Sequence, residues 1–210
     1  MIDANRSITA CRRCGTCCRK GGPSLHIEDK ALIEKGFILL KYLYTIREGE
    51  VAYDNVKECL QPVTSDIIKI KGKKGSLTCV FLEEEQNRCE IYDHRPAECE
   101  ALQCRDTRHI EEMYSKDRLT RRDLILGIKG LWELVEDHNE RCSYLKLARL
   151  TKVFEAGKEN AVQQQILDMV RYDSQLRTLI LGKGGIDRDI LDFLLGRPLS
   201  DTIRAFGYML

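Results

Sequence analysis

The 210-residue chain is poor in several things, and each shortage excludes something. It has 4 prolines, 43% hydrophobic residues and 32% charged residues, a composition for a packed globule rather than a disordered chain. Charge of one sign is not in excess: Lys+Arg is 34 and Asp+Glu is 33. That balance gives no whole-chain case for binding nucleic acid or a membrane surface. No run approaches the roughly 18 apolar residues of a membrane span. The N-terminal Met1–Ser7 has no basic-then-apolar signal pattern, so a cytoplasmic location is expected. Histidines number four (His26, His94, His109 and His138), with no His-Glu-x-x-His zincin pattern. Gly-x-Ser-x-Gly and Gly-x-Gly-x-x-Gly are missing, as is the Cys-x-x-x-Cys-x-x-Cys triplet of radical enzymes. Gly182-Lys183-Gly184-Gly185 lacks the Walker spacing and reads as a linker.

Cysteine is what the chain has in quantity. Eight of its 10 cysteines fall in two short stretches: Cys11, Cys14, Cys17 and Cys18, then Cys79, Cys89, Cys99 and Cys104. Disulfides are a poor explanation. The expected compartment is reducing, the chain is long enough to bury a real core, and Cys11-x-x-Cys14-x-x-Cys17-Cys18 is too tightly spaced for separate bridges. Two-residue spacers aim thiolates at one point. Such turns serve zinc and iron–sulfur clusters alike, and thiolates select soft metals. Arg12, Arg13, Arg19 and Lys20 interleave the first group and can offset thiolate charge or simply face solvent.

The second group begins with two apolar-aromatic runs, Thr78–Leu82 and Arg88–Tyr92, separated by Glu83–Asn87. That is a hairpin signal with Cys79 and Cys89 near its open end. Pro96 can start a helix, and Arg95 before it is pushed to an extended conformation. Cys99 then lies in the first turns. Cys104, five positions on, sits about 140° around such a helix. Either the helix ends near Leu102, or the two cysteines serve different centres.

These residues resemble the YkgJ-type cysteine-cluster family, described as a zinc- or iron-chelating domain. The shared pattern is Cys-x-x-Cys-x-x-Cys-Cys followed by Cys-x-Phe-Leu, Arg-Cys-x-Ile-Tyr and Arg-Pro-x-x-Cys. All eight motif cysteines have counterparts here, as do Tyr92, Arg95 and Pro96, over about residues 11–105. Ile46–Glu50 also looks like an element of its longer members. The resemblance implies a metal site held by the eight cysteines without fixing the metal. A related cysteine-cluster domain occurs in flagellin lysine N-methylases, where an iron–sulfur cluster is implicated. Tyr92 and Arg95 are candidates to pack beside the centre, Arg95 either compensating its charge or pairing with Glu98 or Glu100.

Eight thiolates exceed one mononuclear site. One [4Fe–4S] cluster needs four, and two zinc Cys₄ sites would use all eight. A cluster or polynuclear centre joining both groups is favoured. The 60 residues between Cys18 and Cys79 add little closure entropy. Cys59 and Cys142 fall outside the pattern and are expected as small buried hydrophobes. His26 and Asp29 are expected to cap or face solvent rather than ligate, and His94 to be exposed.

The expected fold is α+β and mostly α-helical, with a small antiparallel β-hairpin beside a multi-cysteine metal site and a helical C-terminal half. Residues 1–107 form the cysteine-cluster unit; residues 108–210 form a helical region packed on it. A helix is expected over Glu28–Lys35 with Gly36 as its stop, and a buried helix over Phe37–Ile46. Ile67–Ile70 reads as a strand, followed by a turn at Gly72–Gly75 and a strand at Leu77. Thr120 and Asp123 make a capping box for a helix whose stripe is Leu124, Ile128, Leu131 and Val135. Trp132 beside it reads as core. Ser143 caps a helix carrying Leu147, Leu150 and Phe154 and ending at Gly157. Further helices are expected over Glu159–Arg171 and around Leu191 and Ile203.

Three functions fit. The first is an iron–sulfur or iron protein for electron transfer, redox sensing or a reaction not yet assigned. The second is a zinc-stabilised interaction module. The third is a cluster-dependent protein lysine N-methylase-like enzyme. A redox or protein partner is expected, but the sequence specifies neither it nor any catalytic residue.

Overall fold

The computed structural model describes residues 11, 13–104, 106–155, 159–183 and 185–207. The expected helical end at Gly157, the lead at residues 1–10, Arg12 and the side chain of Phe154 lie outside what is described.

The first half is built from short pieces. A 3-10 turn at Ile27–Asp29 runs into α1 (Lys30–Glu34), which ends at Gly36 as expected. Among the described residues six strands follow: β1 (Leu43–Ile46), β2 (Val51–Asp54), β3 (Cys59–Pro62), β4 (Ile67–Ile70), β5 (Leu82–Glu83) and β6 (Arg88–Cys89). They form three antiparallel pairs, β1–β4, β2–β3 and β5–β6.

Phe37–Ile46 is not the helix expected. It is a 3-10 turn at Leu40–Tyr42 followed by β1. A short apolar run carries no decisive period, and Tyr42, Tyr44, Thr45 and Ile46 are residue types that favour strands. β4 stands where expected, but its partner is β1, in the register Tyr44↔Lys69 and Thr45↔Ile68. No strand forms at Leu77, which is 71% exposed; the chain makes a single bridge, Gly72↔Cys79. The hairpin at the second cysteine group is present but short, with Leu82 opposite Cys89. The β2–β3 hairpin, turning through Asn55–Glu58 with Glu58 at φ 53°, was not expected.

α2 (Ala97–Ala101) starts after Pro96, with Arg95 extended at ψ 144°. It ends before Leu102, the first of the two alternatives for Cys104. α3 (Arg108–Met113) follows. α4 (Arg121–Ile125) opens on the expected capping box: Asp123 accepts from Thr120 N–H at 2.8 Å, and Thr120 Oγ1 accepts from Asp123 N–H at 3.4 Å. The continuous stripe beyond it does not form. Gly130, at φ 79°, separates α4 from α5 (Leu131–Arg141). Ile128 is therefore 49% exposed, while Ile125 is fully buried.

α6 (Tyr144–Glu155) is capped by Ser143, whose Oγ accepts from Lys146 N–H at 3.3 Å. α7 (Glu159–Lys183) runs 12 residues beyond Arg171 and absorbs Gly182 and Lys183, so the linker reading there is too long. α8 (Leu191–Leu195) stands as expected, and the helix expected around Ile203 is α9 (Leu199–Thr202) running into a 3-10 turn at Ile203–Phe206.

One core joins both halves. Leu43, Ile68 and Ile70 from β1 and β4 meet Ile125, Val135, Ile180 and α8's Leu191, Phe193, Leu194 and Leu195. Trp132 packs against it. Thr45 Oγ1 donates to the Phe193 carbonyl at 2.7 Å. Arg121, fully buried, donates to Asp66 at 2.7 Å, the Leu194 carbonyl at 2.6 Å and Asn139 at 3.0 Å. A buried guanidinium is tolerable only when matched in this way. A second core gathers Cys142, Tyr144, Leu147, Ile166, Met169, Leu199 and Ile203.

Candidate metal centre

The first cysteine group lies on a loop that ends in a 3-10 turn, Cys17–Arg19. Gly15, at φ 72°, supplies the left-handed residue that bends the second spacer. The loop is sewn to the second group through backbone: Cys79 N–H donates to the Cys18 carbonyl at 2.7 Å. Behind it, Gly22 presses on β4; a β-carbon there would lie 2.2 Å from the Ile70 carbonyl oxygen. Arg19 bonds Asn87 Oδ1 at 2.5 Å and the Cys14 carbonyl at 3.4 Å, linking the loop to the β5–β6 turn.

All eight pattern cysteines line one cavity of about 360 Å³. Cys79 is buried; Cys17, Cys18, Cys89 and Cys99 are half-buried; Cys11, Cys14 and Cys104 are exposed. None of the ten is in a disulfide. The Cys17 and Cys18 sulfurs lie 4.0 Å apart. Their hydrogen bond pulls Cys17 down and pushes Cys18 up, one thiol donating to the sulfur of the other. Burial, reinforced by neighbouring thiols, pushes Cys79, Cys89 and Cys99 up. The Thr16 hydroxyl lowers exposed Cys14. Thiols crowded in this way are poor anions alone and good ligands for a cation that displaces their protons.

Tyr92 and Arg95 line the same cavity. Arg95 lies over the Tyr92 ring at 3.9 Å, and Arg13 lies over that ring at 4.0 Å. No ion pair joins Arg95 to Glu98 or Glu100 among the described residues. His94 is exposed as expected and stacks on Phe37 at 3.6 Å between ring centroids.

Beneath the cavity lies a buried polar network that the sequence reading only touched. Asp29 accepts from His26 N–H at 2.8 Å and from Ala97 N–H at 2.8 Å, capping the helix that carries Cys99. Glu98 accepts from Ser24 N–H at 2.6 Å and faces His26 Nε2 at 3.4 Å. His26 and Asp29 are thus buried, 2% and 3% exposed, and of the two placements expected capping holds and surface exposure does not. Lys69 also lines the cavity and donates to Ser24 Oγ at 3.3 Å. Burial holds its ammonium below the usual lysine value, while Glu98 and Cys99 act the other way. The signal for Lys69 was a lone charge in an apolar strand, Ile67-Ile68-Lys69-Ile70.

The outlying cysteines differ. Cys142 is fully buried, as expected; Cys59 is exposed at the start of β3 and is not the buried hydrophobe expected. Cys142 stands with His138 and Asp173, their ligand-type atoms all within 4.8 Å of one another. Asp173 is already saturated there. It accepts from His138 Nε2 at 2.8 Å, Arg177 Nε at 3.1 Å and Leu199 N–H at 3.0 Å. Desolvation holds His138 down to about 4, so the imidazole is neutral, with Nδ1 buried and bare. With cationic Arg47 and Arg177 nearby, this is a clamp between α5, α7 and α9 rather than a cation site.

Two cysteine-bearing segments joined by backbone, with every thiol of the pattern facing one cavity, define a soft-metal-chelating domain. The family model CxxCxxCC, "Putative zinc- or iron-chelating domain", matches residues 10–120, and the chain belongs to that family. No curated protein and no solved structure matches it. Among the described residues, no helix is long and apolar enough to cross a membrane.

Proposed function

We propose that the cavity holds an iron–sulfur centre and that the protein serves electron transfer or redox sensing. The carrying observation is the spacing of the thiols. Zinc at about 2.3 Å from each sulfur needs tetrahedral edges of about 3.8 Å. The Cys17 and Cys18 sulfurs, 4.0 Å apart, approach that value, but among the described residues no three of the eight sulfurs come within 4.8 Å of one another, although the His138 trio does. A cluster attaches its thiolates at separate iron atoms and spaces them more widely. Cys17, Cys18, Cys79, Cys89 and Cys99, the more sheltered thiols, are the ligands of first choice, with Cys11, Cys14 and Cys104 at the mouth. When bound, the centre would supply one-electron chemistry. The chain's own residues hold the thiols in place, shield them from water and balance their charge.

The test is elemental analysis with a visible spectrum on protein purified without oxygen. Iron, acid-labile sulfide and a broad thiolate-to-iron band near ~400 nm support the reading. Colourless protein with tightly held zinc overturns it in favour of a zinc-stabilised module acting through a protein partner.

A further inference from the structure

We infer that Lys69 is a built-in counter-ion of the thiolate centre. The inference rests on reading the cavity as a metal site. Four thiolates around zinc or a [4Fe–4S] core leave net negative charge, and a sheltered net charge is costly unless an opposite charge faces it. Arg95, its buried Nε without a partner among the described residues, offsets Cys89 in the same cavity, and Lys69 is a second cation there; the other arginines near it are committed elsewhere. Arg19 bonds Asn87 and a carbonyl, and Arg13 stacks on Tyr92.

Lys69 is placed differently. In β4 its neighbours Ile68 and Ile70 point into the core, and the two-residue period turns Lys69 and its cross-strand partner Tyr44 towards the cavity. Its ammonium donates to the Ser24 hydroxyl, and no carboxylate lies within ion-pair distance among the described residues. Glu98, the carboxylate that attracts Lys69 most, is itself engaged by Ser24 N–H and His26. An ammonium carries three donors, and a sheltered one with a single hydroxyl partner calls for an anion opposite. The thiolates that line the same cavity, Cys99 among them, supply it.

The experiment compares wild type with Lys69→Met and Lys69→Arg, using zinc(II) titrated against a chelator and anaerobic iron reconstitution. Each protein is also melted without metal. Lys69→Met is expected to melt at or above wild type when metal-free, yet to bind metal about tenfold or more weakly, the scale seen when groups behind metal ligands are removed. Lys69→Arg should recover most of the loss. With iron bound, Lys69→Met should shift the midpoint potential to more negative values, because an electron is harder to add once a positive charge is gone. Equal affinity in wild type and Lys69→Met overturns the inference and leaves the metal reading intact. So does weaker binding in both variants with lower metal-free melting, the mark of a purely structural lysine. A wild type that binds neither metal overturns the metal reading, and the inference with it. Should Lys69→Met not fold, Lys69→Gln carries the same comparison.

Discussion

Gly22→Ala is the most demanding test of how the cysteine loop is seated. A methyl at position 22 would meet backbone: the Ile70 carbonyl oxygen at 2.2 Å, with its carbon and β-carbon at 2.8 Å. No rotamer change relieves that contact, because the obstacle is the strand. Nor can the strand yield cheaply, since Ile70 N–H bonds the Pro23 carbonyl at 3.0 Å and Leu25 N–H bonds the Ile68 carbonyl at 2.9 Å. The loop must move about 1 Å, in a tightly packed region where overpacking costs about 1–3 kcal/mol. The backbone clash puts this case at the upper end, about 3 kcal/mol. For a chain of this length that lowers the melting temperature by about 6–12 °C. The same movement pulls Cys17 and Cys18 away from Cys79, so bound metal should fall with stability. Circular-dichroism melting and metal analysis on the same preparation read both effects. Gly21→Ala is the comparison, because nothing lies within 4 Å of a β-carbon there and its cost comes from the backbone at φ 126°. A Gly22→Ala protein that melts within a degree of wild type and holds the same metal would show that the loop does not rest on β4.

Cys14→Ser and Cys89→Ser should each lower bound metal and the melting temperature together. Cys142→Ser should leave metal unchanged and cost about 1–2 kcal/mol, because it puts a hydroxyl where a fully buried thiol stood. His138 is held down to about 4 in the fold against 6.5 in the unfolded chain. The unfolded state therefore takes up more protons between those values. Stability from this group is whole above pH 6.5 and drains by about 3 kcal/mol as pH falls towards 4. Denaturant melts at pH 7, 5.5 and 4.5 should show this slope in wild type and not in His138→Asn; equal slopes would refute it. Asp66→Ala strips the fully buried Arg121 of its carboxylate and should cost about 3 kcal/mol in urea titration, far above the value for a surface pair.

The cysteine spacing was legible because chemistry constrains it directly: eight residues as far as 93 positions apart reach one cavity. Thr120 with Asp123 and Ser143 were legible because a cap is a local hydrogen bond. Phe37–Ile46 was not, since whether a short apolar run becomes helix or strand depends on the partner, and β4 lies more than 20 residues away. The stripe through Ile128 is broken because Gly127 and Gly130 interrupt the helix, and an apolar period does not register a glycine between its positions. The His138–Asp173 clamp and the seat of Asp29 under α2 join residues 35 and 68 positions apart, and no local pattern announces such pairs.

The packing of α8 against β1 and β4 bears on the order in which the protein is made. The strands that back the cavity keep their apolar face uncovered until Leu191–Leu195 arrive to complete the core. About 90 residues separate Cys104 from that segment. At synthesis rates of about 5–20 residues per second, all eight clustered thiols wait some 5–20 seconds before the scaffold beneath them can close. During that interval they are open to oxidation and to whichever metal is at hand. Correct loading is therefore expected to follow synthesis of Leu191–Leu195, under conditions that keep the nascent thiols reduced.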